Sequence, residues 1–359
     1  MPGETHPRRF RLQPLRRRRH RALATQVAVI TGGSSGIGRE TALRMGRAGA
    51  TVVVLGRHEG RLLQTVADIV AQGGQARQIV CDVQDAAAVQ AAADTVESWF
   101  GRIDTWVNNA GVLIYAGFEE TTPAEFRRMM EIDFLGQVHG AQAALPALRR
   151  AGGGALISIS SIEAVTTLPF HSAYAASKRA VEGAMMGLRR ELRATRDPIS
   201  VTIIRPAVID TPGYNATRSR LGHRPSAPPP YYAASVVASC ILYAAEHPVD
   251  ELFAGGSGRF ISALQRTAPR LLDRVFGRWG MRMMHTPEPA PSRPGNLAAP
   301  SSVADPDGLP RRGRTWSAST SLAIRPGLRR FLFVALTASS LAAVGRLTGT
   351  LPERTRDRR

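Results

Sequence analysis

The sequence predicts an α/β fold built on a doubly wound parallel sheet, and three observations lead to it. Short β-branched runs alternate with helical stretches from about residue 25 to 265; the first run enters a glycine-rich turn and then a helix; and Tyr174 stands four residues before Lys178, the only lysine in 359 residues. Strands and helices alternating at this spacing call for parallel pairing with helices crossing over both faces. At 43% apolar content, a chain of this length can bury a sizeable core in one large domain or two ordinary ones.

The net charge of +19 invites a nucleic-acid reading, but its distribution argues against one. Residues 1–24 hold eight arginines against Glu4, and residues 311–359 hold eleven against Glu353 and Asp357, which leaves about +3 for residues 25–310. The basicity belongs to the tails. Such tails can touch phosphates or anionic lipid, or be arginine-rich disordered ends without a specific role. The N-terminal tail lacks interleaved aromatics and no nucleic-acid module is recognisable, so no specific nucleic-acid binding is expected. Cys81 and Cys240 form neither a disulfide framework nor a metal-ligand spacing. A reducing, cytoplasmic setting and no bound metal are expected.

Residues 1–24 mix Pro, Arg and His without hydrophobic periodicity. They read as a basic disordered extension or an over-long start to the coding sequence; Arg8-Arg9 is followed by no separate apolar segment of a signal peptide. Val27–Ile30 is then a strand, Thr31-Gly32-Gly33-Ser34-Ser35-Gly36-Ile37-Gly38 a turn, and 39–49 a helix. That order makes a phosphate cradle. Glycines allow the backbone to approach a diphosphate closely, and the helix N-terminus offers free N–H groups with a partial positive charge.

The second strand, 51–55, ends at Gly56-Arg57 with no carboxylate. A dinucleotide fold that holds the adenosine ribose as a diol places an acidic residue here. Arg57 suits a 2′-phosphate instead, which favours NADP(H) over NAD(H); the alternative is a solvated arginine at a strand end. A helix over 60–72 and a strand over 76–81 follow, then Asp82-Val83. The strand 103–107 runs into Asn108-Asn109-Ala110-Gly111, either a plain turn or a wall of the crevice at the carboxyl edge of the sheet. A long helix over about 123–150 carries Ile132-Asp133-Phe134, and the strand 155–159 delivers Ser160-Ser161, with Ser161 thirteen residues before Tyr174.

On a helix, Tyr174 and Lys178 share one face. A nearby ammonium favours tyrosinate and lowers the phenol pKa, which makes a general acid/base. Lysine suits this role as a compact, movable charge where arginine is a rigid fork. By itself the pair is also compatible with an ordinary helix surface.

Together these residues resemble the classical short-chain dehydrogenase/reductase family over about 25–265. The matching motifs stand in order: Thr31-Gly32-x-x-x-Gly36-x-Gly38, Asp82, Asn108-Asn109-Ala110-Gly111, Ser161, Tyr174-x-x-x-Lys178, and Arg205-Pro206-Ala207-Val208-Ile209-Asp210-Thr211-Pro212. The resemblance implies a Rossmann-like fold and hydride transfer between a nicotinamide and a carbonyl/alcohol pair. Ser161 then binds the reacting oxygen, Tyr174 transfers the proton, and Lys178 holds the nicotinamide ribose. It places Asp82 by the adenine, Asn109 near the cofactor ribose, and Ile209 and Thr211 at the carboxamide, with Val83, Ala110, Gly111 and Pro206 also among the cofactor-binding residues. Ser34, Ser35, Gly36, Ile37 and Gly38 belong to the phosphate turn.

Two positions depart from the family. Asp133 stands where a catalytic asparagine orders a water beside the lysine, and an ionised carboxylate cannot donate a hydrogen bond. It should also offset part of the lowering of the Tyr174 pKa. Ala207 replaces a common glycine. The family forms its variable substrate lid between Pro212 and Tyr232; with Val112–Phe118 it offers apolar walls, which leans towards an apolar ketone, aldehyde or alcohol. A helix over 233–246 and a strand around Phe260 complete the expected sheet. The resemblance also implies a homodimer or homotetramer.

Beyond the family's usual end, residues 266–285 read as an amphipathic helix, docked on the domain, across a dimer, or on a membrane surface. Residues 286–313 read as a disordered Pro-rich linker. In the basic tail 314–359, the apolar run 331–344 is fourteen residues, short of the roughly twenty needed to span a bilayer; weak membrane contact through flanking arginines is one reading and a packed tail the other. A reading of a different class is a catalytically weak NADP(H)-binding regulatory or scaffold protein of the same fold, for which Asp133 is the main argument.

Overall fold

Seven β-rich segments pair side by side: β1 (Val27–Thr31), β2 (Thr51–Gly56), β3 (Gln75–Val80), β4 (Thr105–Asn108), β5 (Gly154–Ile159), β6 (Ile199–Pro206) and β7 (Glu251–Ala254). They form one parallel sheet in the order β7-β6-β5-β4-β1-β2-β3. The computed structural model describes residues 19–292, 294–297, 299, 309 and 312–325. Strand order reverses between β1 and β4. The crevice outside the carboxyl ends of these two strands is where such sheets bind ligands.

The period of two along the strands sends neighbouring side chains to opposite faces. Val27, Val29, Val53 and Leu55 pack with α3 (Ala86–Phe100), α5 (Gly136–Arg150) and α6 (Ser172–Ala194); Ala28, Ile30, Val52 and Val54 pack with α1 (Gly36–Arg47), α2 (Glu59–Ala71) and α7 (Ala234–Glu246). Both faces are covered, so the strands are apolar throughout, as parallel sheets require.

The expected long helix 123–150 is present and carries a π-helical turn that divides it into two α segments. Its first part, α4 (Pro123–Met129), starts on a capping box between Thr122 and Glu125, and the turn Met130–Leu135 is π-helical before α5 begins. Such widened turns are rare and concentrate at functional sites. This one carries the buried residues Ile132 and Asp133.

A buried ion pair seats the helix that carries Tyr174 and Lys178. Arg205 on β6 donates to both oxygens of Glu182 on α6 at 2.6 and 2.8 Å, and Ser160 donates to the same carboxylate at 2.8 Å. A paired, hydrogen-bonded carboxylate is the form in which a buried charge is tolerated.

Four expectations are corrected. The last sheet strand is Glu251–Ala254, and Phe260 lies on helix α8 (Gly256–Thr267), exposed; a four-residue strand gives too short a periodic signal. The helix expected over 266–285 is confined to Pro269–Met283 and holds a π turn at Phe276–Gly280; α8 ends before it, where Ala268-Pro269 breaks the helix. A proline lacks the N–H and the clearance to continue a helix. The N-terminal extension is anchored from residue 20, where His20 N donates to Glu246 O and Leu23 N to the Glu246 carboxylate. The Pro-rich stretch is ordered in part: His285–Pro289 pairs antiparallel with His223–Pro225 of the lid. Residues 1–18 and the apolar run 331–344 lie outside the described residues. Among the described residues no helix is long and apolar enough to cross a membrane.

Candidate active site

Two adjoining cavities open at the carboxyl edge of the sheet around the switch point. The first is bordered by the turn after β1 (Gly32, Ser34, Ser35, Gly36, Ile37), the end of β2 (Gly56, Arg57), His58, Arg61, Asp82, Val83 and Asn109–Gly111. Gly32 and Gly36 hold φ of +66° and +51°, and Gly38 packs so tightly that an added Cβ would lie 2.2 Å from Gly32 O. No side chain fits there. The N-terminus of the twelve-residue α1 borders the cavity, so free N–H groups and the helix dipole meet whatever occupies it. These residues fit the diphosphate of a dinucleotide.

Thr31 and Gly38, expected at this site, border neither cavity; they build it. The Thr31 hydroxyl accepts from Asn109 N and Ala110 N at 2.9 and 3.0 Å, pinning the loop after β4 to the phosphate turn. Arg57 donates to Asn296 O at 2.8 Å. Burial pulls its guanidinium below its ordinary pKa, and the Asp82 charge opposes this.

The second cavity holds Ser161, Tyr174, Lys178, Pro206 and Ile209, with Leu113, Tyr214 and Ala227 as apolar walls. Ser161 and Tyr174 face the same cavity, and the serine hydroxyl acts to lower the phenol pKa. Lys178 Nζ lies 5.4 Å from the Tyr174 ring centre, donates to Ile159 O at 3.3 Å, and stands 3.8 Å from the Asp133 carboxylate. Asp133 is fully buried and accepts from Val112 N at 2.8 Å and Ser177 Oγ at 3.4 Å. Burial raises its pKa, against the pull of Lys178 and of these donors. The expected catalytic set is therefore gathered in one place.

The lowering expected for the Tyr174 pKa is reversed. Burial pushes the phenol well above its ordinary value, and the Glu163 and Asp133 charges push it further, while the Ser161 hydroxyl opposes them. A buried phenolate loses its solvation, and two carboxylates outweigh one ammonium. Glu163 was not foreseen. Its carboxylate accepts from His171 Nδ1 at 3.0 Å, and both side chains border the second cavity. The expected exposed apolar wall is only partly present: Val112 and Leu113 line the cavity, whereas Phe118 is 70% exposed and borders neither one.

The lid is tied down by Arg218 and Arg220, which pair with Glu125. Burial alone would raise the Glu125 pKa, but the Arg220 and Thr122 hydrogen bonds and the two charges bring it down to about 2.

A doubly wound sheet with a glycine turn at its switch point, and a serine–tyrosine–lysine group beside it, defines an α/β nucleotide-binding oxidoreductase. The chain belongs to the short-chain dehydrogenase family, whose model matches residues 26–222. It is 34% identical over 325 residues to the uncharacterized oxidoreductase YxnA of Bacillus subtilis, covering 89% of this chain and 90% of that protein. Among solved structures it resembles a metagenomic short-chain oxidoreductase in complex with NADP, at 30% identity and TM-score 0.55 over 65% of this chain and 98% of that one. It also resembles a short-chain dehydrogenase from Mycobacterium paratuberculosis bound to NAD, at 25% identity and TM-score 0.59 over 67% and 100%.

Proposed function

We propose that the chain is an NADP(H)-dependent oxidoreductase interconverting a carbonyl and an alcohol, with Tyr174 as proton donor and acceptor. The observation that carries this is that Ser161, Tyr174 and Lys178 border one cavity adjoining the phosphate turn, with Lys178 Nζ 5.4 Å from the phenol ring centre. The nicotinamide supplies or takes the hydride. The chain's own residues do the rest: Ser161 orients the reacting oxygen, Tyr174 moves the proton at its Oη, and Lys178 anchors the nicotinamide ribose.

Support for the phosphorylated cofactor comes from Ser34, Arg57, His58 and Arg61 around the first cavity and from the absence of a carboxylate at the end of β2. One solved relative holds NADP and another NAD, so the preference rests on these side chains. Tyr214, Leu113 and Ala227 favour an apolar body in the substrate. Assembly as a homodimer or homotetramer is part of the same reading.

The test is oxidation of NADPH over a panel of apolar ketones, aldehydes and quinones, with NADH as control. Turnover should favour NADPH and fall about 10²- to 10⁴-fold in Tyr174→Phe, the range of a lost general acid. Tight cofactor binding without turnover of any substrate would instead support a regulatory, cofactor-binding role. The close Asp133–Lys178 pair is the observation that favours that second reading.

A further inference from the structure

The segment expected as a disordered linker returns to the crevice. After His285–Pro289 pairs with the lid, Ala290 N donates to Gly222 O at 3.0 Å. Gly295 then lies on the lid backbone with φ +60°, where an added Cβ would come within 2.1 Å of Arg218 N. Only glycine serves there. Asn296 N donates to Ala216 O at 2.8 Å, Arg57 donates to Asn296 O, and Arg128 donates to Leu297 O at 3.3 Å. Leu297 is buried in the core cluster that holds α3, α5 and α6. The chain is thus pinned to the lid, to the end of β2 and to α4.

Asn296 borders both cavities, in company with Ile37, Gly111 and Thr211. Its backbone is satisfied on both sides, yet its side-chain Oδ1 is buried and has no hydrogen-bond partner. Buried polar atoms are rarely left so, because the desolvation is not repaid. A dinucleotide with one end in each cavity would cross the junction that Asn296 borders. Because Oδ1 is covered, the amide must turn to meet a ligand; turned to the cavity, it offers an acceptor to a ribose hydroxyl and a donor to a phosphate.

We infer that residues 285–292 and 294–297 form a strap that completes the cofactor site, with the Asn296 side-chain amide binding the central part of the dinucleotide. The inference rests on the cofactor reading above. It adds a binding residue more than seventy positions beyond the matched family region, which ends at residue 222.

The test uses full-length protein and reads binding rather than turnover. NADPH affinity and release rate are measured by fluorescence, beside adenosine 2′-monophosphate, which fills only the first cavity. Asn296→Ala should weaken NADPH about tenfold, the loss of roughly one hydrogen bond, and speed its release, while the fragment's affinity stays within about twofold. Asn296→Asp keeps the shape and sets an anion beside the diphosphate, so its loss should be larger still; a thermal melt of each variant confirms that the fold survives. NADPH affinity unchanged in both variants overturns the strap, as does an equal loss for NADPH and the fragment. A wild type that binds no dinucleotide overturns both the strap and the cofactor reading, whereas tight wild-type binding insensitive to Asn296 overturns the strap alone.

Discussion

The two cavities recognise in opposite ways. The first is made mostly of backbone: glycines at positive φ, a helix N-terminus, and a loop pinned through Thr31. The second is lined by ionisable side chains, Tyr174, Lys178 and Glu163, with the buried Asp133 carboxylate behind Lys178. Backbone recognition is rigid and indifferent to pH. Side-chain chemistry is tunable, since each charge shifts its neighbours, but it needs a stiff footing, and here the Arg205–Glu182 pair supplies it.

The sharpest way to break the contrast, after Tyr174→Phe, is to remove that footing. Glu182→Ala leaves the buried Arg205 with its contacts to Glu251 and the Phe253 ring, which should cost about 3–5 kcal/mol and lower the melting temperature by roughly 10 °C. Calorimetry checks this. A smaller effect is expected at the rim of the first cavity. Arg57→Ala should weaken NADPH about 10- to 100-fold, the range of a charge-assisted hydrogen bond, and leave NADH nearly unchanged in a titration of both. Equal losses would mean that Arg57 only holds the strap.

The smallest effect concerns pH. With the Tyr174 pKa raised, the phenol stays protonated through neutral pH, so alcohol oxidation should climb with pH across the alkaline range while carbonyl reduction holds. Asp133→Asn removes an anion that disfavours phenolate. The alkaline rise should therefore move to lower pH, read from kcat/KM against pH. A shift to higher pH, or none, would show that the carboxylate does not act on Tyr174.

How much of this was legible in the sequence follows the same contrast. A backbone constraint imposes a residue type, so Gly32, Gly36 and Gly38 announced the turn, and the Tyr174–Lys178 spacing announced the helix face. The tuning groups gave no such signal. Glu163 and His171 are ordinary letters eight apart, brought together by a turn in which Phe170 takes φ +68°. The π turn that seats Asp133 breaks no composition rule. The contact of Arg57 with Asn296 spans 239 positions, and a Pro-rich composition reads as a linker whether or not it lies against a fold.

The solitary lysine has a practical consequence. Apart from the α-amino group, Lys178 is the only primary amine of the polypeptide, and it is 3% exposed at the base of the cleft. An amine-selective acylating reagent thus becomes a single-site footprint of cleft opening, slowed by any occupant and released by any loosening. A lysine-specific protease would cut the unfolded chain once, parting the phosphate turn from the lid and strap, so one band on a gel would report the fraction of molecules that had opened.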